Sequence, residues 1–309
     1  MNLQILDTRF QGMEQVTAVY LLIGPEGPAL VETGPGSTLP AVLDALAGHG
    51  LRPSDIRHVL LTHIHLDHAG AAGWWARQGA QIYVHHVGAP HLIDPSKLLA
   101  SAGRIYGDRM ETLWGEILPA PAERVTPLYD GDTVRAGGLT FTALDTPGHA
   151  GHHHTYLIDG DDGRIAFTGD VAGVRLPRFN SIDLPAPPPE FHLETWMASL
   201  DKLEAAKIDV IYPTHFGPNP DVHGQLSALR VSLIDAVAFV AQRLDDLGGL
   251  PLAADPATRV ALLDDYIGWN RQRMAAQGLS QTAIDGYELA NPLFMSVDGI
   301  LRYLRKRGG

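Results

Sequence analysis

The segment Thr62-His63-Ile64-His65-Leu66-Asp67-His68-Ala69-Gly70 places three imidazoles and a carboxylate close together. His63 and His65 lie two apart on an extended chain and so project to one side. Asp67 and His68 fall in the turn that follows, where side chains fan outward. Four ligand-competent groups can therefore line one cavity. Neutral imidazole and carboxylate suit zinc, iron or manganese. The alternative is a solvated histidine loop, but a buried strand delivering four ionisable groups to one spot is costly without a cation. Three further segments repeat the pattern of ligand-competent residues just after a strand: Thr146-Pro147-Gly148-His149-Ala150-Gly151-His152-His153-His154, Thr168-Gly169-Asp170, and Pro213-Thr214-His215-Phe216-Gly217. Strand ends on one edge of a sheet share a rim, so residues far apart in sequence can converge there.

The elements that must position these groups are readable as apolar runs. Strands are expected at Gln15–Ile23, Ala29–Thr33, Arg57–Leu61, Gln81–His85, Leu139–Thr146, Thr155–Ile158, Arg164–Thr168 and Val210–Tyr212. Helices are expected at Thr38–Ala47 and Ala69–Gln78, the first from its apolar spacing at Leu39, Val42, Leu43 and Leu46. Residues 88–120 interrupt this alternation and read as an insert of two helices. Asp130-Gly131-Asp132 reads as a hairpin-like turn. The proline-rich stretch Leu184–Pro189 leads into a helix around Glu190–Ala205. Beyond Pro220 the texture becomes wholly helical, at Leu226–Leu247, Ala257–Gln277, Ser280–Ala290 and Ser296–Arg305. This divides the chain into a catalytic part, 1–220, and a helical region, 221–309, too thin to stand alone and expected to pack on it. The basic run from Arg302 to Arg307 reads as a last helical turn that suits the helix dipole.

Composition narrows the chemistry further. The 309 residues contain no cysteine, which excludes disulfide scaffolds, thiolate metal sites and a cysteine nucleophile. Lys and Arg number 23 against 35 Asp and Glu, a net charge of −12, which argues against nucleic acid or an anionic membrane as partner. The N-terminus has no basic stretch followed by an apolar run, and no run of about 18 uncharged apolar residues occurs. The expectation is a cytoplasmic protein acting on a small molecule, with homo-oligomerisation left open.

The order His-x-His-x-Asp-His, Thr-Pro-Gly-His, Gly-Asp and a final His resembles the metallo-β-lactamase superfamily, and within it the glyoxalase II and lactonase-like hydrolases. The resemblance spans about residues 15–217. It implies an α/β fold, a four-layer αβ/βα sandwich with the metals at one edge, here with a C-terminal helical extension. It also implies one metal held by His63, His65 and His149 and a second by Asp67, His68 and His215, with Asp170 bridging the two. His152 is the competing ligand, and the match to Thr-Pro-Gly-His favours His149. Two divalent ions follow, zinc first, with iron or manganese accepted by the same donors. Glu32 occupies a turn where this family usually has Asp, and with His153 it is implied to support the ligands.

The reaction implied is metal-assisted hydrolysis of a carboxylic ester, thioester or lactone. Water acidified by the cation pair is the nucleophile, and Asp67 and Asp170 are the catalytic carboxylates. No Gly-x-Ser-x-Gly elbow competes with this reading. Candidate pocket residues are Tyr106, Trp114, Arg175, Arg178, Phe179 and His192. A small-molecule phosphodiesterase on the same dinuclear site is the rival within the fold. A flavodiiron-type oxidoreductase usually has Glu in place of His65, and its flavodoxin-like domain does not fit a helical tail of about 85 residues. From a different class, a non-catalytic metal-binding scaffold stands against the full ligand set. A β-lactamase proper is disfavoured because such enzymes are usually exported.

Overall fold

The computed structural model describes residues 2–160, 163–177, 179 and 181–308. Its first sheet runs in the order β1 to β6, from Asn2–Asp7, Ala18–Gly24, Gly27–Val31, His58–Leu60, Gln81–His85 and Val125–Leu128. β1 to β3 are antiparallel, and β3 to β6 are parallel. The second sheet has the order β11-β10-β9-β8-β7. It is built from Thr133–Ala136 (β7), Leu139–Asp145 (β8), His154–Gly160 (β9), Gly163–Gly169 (β10) and Val210–Pro213 (β11).

The helices in chain order are α1 (Leu39–Gly48), α2 (Leu66–Ala69), α3 (Ala72–Arg77), α4 (Ala89–Ile93), α5 (Ser96–Tyr106) and α6 (Met110–Trp114). They continue with α7 (Leu193–Ala205), α8 (Val222–Asp246), α9 (Pro256–Ala276), α10 (Gln281–Ala290) and α11 (Leu293–Gly308).

Strand alternation decides the layers. On β2, Ala18, Tyr20 and Leu22 face the second sheet and meet Phe141, Tyr156 and Phe167. Val19 and Leu21 face the other way, onto Val42 and Leu46 of α1 and Trp75 of α3. Behind the second sheet, Trp196, Leu200 and Leu203 of α7 share a core with Leu229 and Leu233 of α8, Leu262 of α9 and Ile300 of α11. The result is the four-layer αβ/βα sandwich, with the C-terminal helices in the outer layer beside α7. α8 is long and apolar enough to cross a membrane by length and composition. Its Leu226, Leu229, Leu233, Val237, Val240 and Leu244 instead form one buried stripe in this core.

Several expected elements differ, each for a local reason. The segment read as one helix over Ala69–Gln78 is α2 and α3, because the Ala71 N–H leaves the helical ladder for the Gly34 carbonyl at 3.1 Å. The insert holds three short helices, not two, with Gly107 at φ 52° breaking α5 from the segment that leads to α6. Asp130-Gly131-Asp132 closes no hairpin. It carries the chain from β6, an edge of the first sheet, to β7, an edge of the second. β1, β6 and β7 gave no strand signal: only Leu6 of β1 is buried, and β6 and β7 are four residues each.

Candidate metal centre

The ligand-competent residues arrive at one rim from the C-terminal ends of β4, β8, β10 and β11. Their loops are held by close contacts. Gly148 sits at φ 136°, and a Cβ there would lie 2.4 Å from Trp196. Trp196 is itself pinned by its indole N–H donating to the Val171 carbonyl at 2.8 Å. Gly169 sits at φ 49°, where a Cβ would lie 2.4 Å from Thr62 Oγ1 and 2.7 Å from His153 Nε2. Both glycines let a ligand loop approach its support more closely than any side chain allows.

Two triads result. His63 Nε2 and His149 Nε2 stand 3.3 Å apart, and each lies 2.9 Å from His65 Nδ1. Beside them, Asp67 Oδ2 lies 3.5 Å from His68 Nε2 and 3.4 Å from His215 Nε2. Asp170 joins the two sets: its Oδ2 is 3.5 Å from His149 Nε2, and its Oδ1 is 3.2 Å from His68 Nε2 and 3.6 Å from His215 Nε2.

The ring protons show whether these residues fit metal ions. His149 Nδ1 donates to the Pro185 carbonyl at 2.7 Å and His215 Nδ1 to the Val16 carbonyl at 2.8 Å. His68 Nδ1 donates to Glu32 Oε1 at 3.1 Å. The Thr62 hydroxyl gives its proton to Glu32 and accepts from His63 Nδ1 at 3.1 Å. In the neutral rings every Nε2 of these four is therefore a lone pair, and all four face inward among carboxylate oxygens. His65 offers its triangle at most one proton. His68 Nε2, His215 Nε2 and Asp170 Oδ1 are buried with no hydrogen-bond partner at all. Donor atoms on a tetrahedral ion with bonds of about 2.05 Å stand about 3.3 Å apart. Acceptors converging at this spacing, with their outer nitrogens already fixed, fit divalent cations.

Electrostatics divide the rings into two groups. Burial holds His63, His65, His149 and His153 below the ordinary imidazole value, so they stay neutral and available as donors. Burial also pulls His68 and His215 down, but Asp170 and Asp67 outweigh it and hold both above the usual value. Asp67 and Asp170 are raised by burial, which the facing imidazoles overcome, leaving both below the carboxylate range.

Other expected site residues are placed as follows. His153 Nε2 accepts the Asp170 N–H at 3.2 Å, and its Nδ1 lies 3.0 Å from Thr146 Oγ1. His152 stays outside both triads, with Nε2 3.3 Å from Glu190 Oε2. A cavity of about 700 Å³ opens over the rim, with His65, Asp67, His149, Asp170 and His215 in its wall. Tyr106 and Trp114 line it. Arg175 and His192 are not among its lining residues: Arg175 exchanges backbone hydrogen bonds with His215 and Phe216, and the His192 ring caps α7 by accepting the Thr195 N–H. Phe179 packs against the apolar cluster between the insert and α10. Arg178 lies outside the described residues.

A sequence profile of the metallo-beta-lactamase superfamily matches residues 13–215. The chain belongs to the metallo-beta-lactamase superfamily. It is similar to an atrochrysone carboxyl ACP thioesterase of Aspergillus fumigatus, at 29% identity over 203 residues, covering 65% of this chain and 38% of that protein. It is also similar to a metallo-beta-lactamase fold-containing protein of Sulfurisphaera tokodaii, at 26% over 209 residues, 66% of this chain and 74% of that protein. The chain thus spans well under two thirds of the fungal relative. Among solved structures, a metallo-beta-lactamase family protein of Thermus thermophilus superposes with a TM-score of 0.67 at 23% identity, covering 99% of this chain and 94% of that one. That likeness is one of fold, and it takes in the C-terminal helices.

Within this metallo-beta-lactamase fold, Glu32 does more than the sequence could show. Fully buried at the end of β3, it accepts from Thr62, from His68 and, at 3.1 Å, from the Thr214 hydroxyl. It thereby ties together the residue before His63, His68 itself and the residue before His215. Its backbone adopts φ 68°, a conformation that costs a non-glycine residue about 1 kcal/mol or more. Glu32→Gln replaces one acceptor oxygen by a donor that faces groups already donating. Metal affinity is expected to fall about 10- to 100-fold, measured by competition with a chromophoric chelator.

Proposed function

We propose that this chain is a dinuclear metallohydrolase that opens a carboxylic ester, thioester or lactone with an apolar acyl part. The observation that carries this is a ring of inward-facing imidazole nitrogens and carboxylate oxygens at the wall of a largely apolar cavity. His63, His65 and His149 would hold one divalent ion and Asp67, His68 and His215 the other, with Asp170 offering an oxygen to each. When bound, such cations polarise a carbonyl oxygen and acidify water towards neutral pH. Zinc suits this donor set, and iron or manganese are accepted alternatives. Asp67, on the cavity wall, is placed to take a proton from the attacking water. His149 and His215, fixed through Nδ1, keep their Nε2 lone pairs aimed without reorganisation.

The rest of the cavity speaks for the acyl group. Phe10, Leu98, Ala102, Ile105 and Trp114 come from the N-terminal loop and the insert, and Leu293 from α11. Lys97 and Arg109 also reach this cavity, but apolar surface dominates its lining, which favours hydrocarbon over a charged nucleotide. The similarity to a protein named as an ACP thioesterase supports the thioester within this class.

The test is a zinc-loaded chain assayed on lactones, acyl thioesters, aryl esters and bis-aryl phosphodiesters. Acyl cleavage is expected, and turnover confined to the phosphodiesters would overturn the reading. Ile105→Asp, which puts a charge in the apolar wall, is expected to raise KM for an octanoyl thioester about tenfold or more. The acetyl thioester, with no hydrocarbon tail to lay against that wall, should change far less.

A further inference from the structure

The second sheet carries another set of ligand-competent side chains that the centre above does not use. Along β9 successive residues point to opposite faces. His153 supports Asp170, so His154 turns away from that centre. There it stands beside Asp145, its direct cross-strand partner, and beside His85 at the end of β5 on the other sheet. His85 Nε2 lies 2.8 Å and His154 Nε2 3.2 Å from the same oxygen, Asp145 Oδ1. Side-chain donor atoms of all three lie within 4.8 Å of one another.

We propose that His85, Asp145 and His154 form a further divalent-cation site, separate from the rim under the cavity and suited to zinc or a similar borderline ion. Two imidazoles and a carboxylate are a donor set for such ions, and the half-exposed Asp145 leaves a coordination position open to water. His154 supplies the independent observation. Its ring is fully buried, and neither nitrogen has a hydrogen-bond partner. Its Nε2 approaches Asp145 at 3.2 Å without the alignment of a hydrogen bond. His68 Nε2 approaches Asp170 Oδ1 in the same way at the main centre. A buried ring left unpaired on both edges is unfavourable, and a cation beside Asp145 would satisfy it. Burial raises the Asp145 carboxyl, but the two rings outweigh that and hold it ionised.

One contact makes this the weaker centre. His85 Nδ1 accepts the Val87 N–H at 3.1 Å, which places the ring proton on Nε2, so an ion competes with that arrangement. A bound ion would clip β5 of the first sheet to β8 and β9 of the second, where the loop carrying His149 departs.

The test is equilibrium dialysis of the full chain against zinc chloride, with elemental analysis of wild type, Asp145→Asn and His154→Asn. Each variant is expected to hold one zinc equivalent fewer than wild type. The readout is that difference, so it does not depend on how many ions the main centre takes. Equal counts in all three proteins would overturn the proposal, and so would a loss of more than one equivalent, which would mean the two centres are not separate. Asp145→Asn changes a half-exposed side chain and keeps both rings, so it decides the matter even where His154→Asn fails to fold.

Discussion

Asp170→Asn is expected to lower turnover on an apolar thioester or lactone by about 10³-fold while the fold survives, a barrier change of about 4 kcal/mol. The substitution is isosteric, and the residue's structural tie is made by its backbone N–H to His153, which Asn retains. What changes is the group facing both triads. Asp170 Oδ2 stands 3.5 Å from His149 Nε2 and Oδ1 3.2 Å from His68 Nε2. An amide puts two N–H donors where one of these oxygens was and removes the negative charge. On the proposed reading, one cation then loses a ligand, and the shared charge that holds the pair together is gone. Zinc content and kcat should fall together, with circular dichroism unchanged. Full metal content with unaltered kcat would mean that Asp170 does not join the two sets.

The legibility of this centre in the sequence followed the range of the interactions involved. His63, His65, Asp67 and His68 lie within one strand end and turn, so their convergence is a matter of local spacing. His149, Asp170 and His215 each follow an apolar strand, and their meeting needs only that those strands end on one rim. Glu32 was harder. Its place beside a ligand loop could be suggested by resemblance, but its bonds to Thr62, His68 and Thr214 depend on three strands arriving together. The cavity wall was harder still. Trp114 on α6, Leu66 on α2 and Ala290 on α10 line it and belong to one apolar cluster, yet nothing in their spacing links the insert to the C-terminal helices. Neither Arg175 nor His192 is among the residues that line the cavity. The His192 ring is held as the cap of α7, accepting the Thr195 N–H, a direction that periodicity does not encode. The edge strands β1, β6 and β7 escaped because each offers too little to read: β1 buries only Leu6, and β6 and β7 are four residues each, with two buried side chains apiece.

Exhaustive chelation is expected to abolish turnover and also to change the shape of the stability–pH profile, which separates metal loss from simple damage. In the metal-free chain, His63, His65, His149 and His153 are held neutral by burial. On unfolding they regain an ordinary value near 6.5. The unfolded chain then binds more protons, so stability falls as pH drops through about 6.5. His68 and His215 act with the opposite sign, because Asp170 and Asp67 outweigh burial and raise both. Their contribution is fully present below about 6.5 and is lost as pH rises through their raised folded values. Asp67 and Asp170, held below the carboxylate range, contribute throughout this window and do not shape it. The metal-free Tm should therefore peak near neutral pH and decline on both sides. In the loaded chain the five ligand rings, His63, His65, His68, His149 and His215, must be unprotonated to bind, so the alkaline decline disappears and the Tm rises through pH 6.5 to a plateau. Thermal melts of both forms across this range test the point. A chelated chain that follows the same plateau, or keeps its turnover, would remove the basis for assigning cations to these residues.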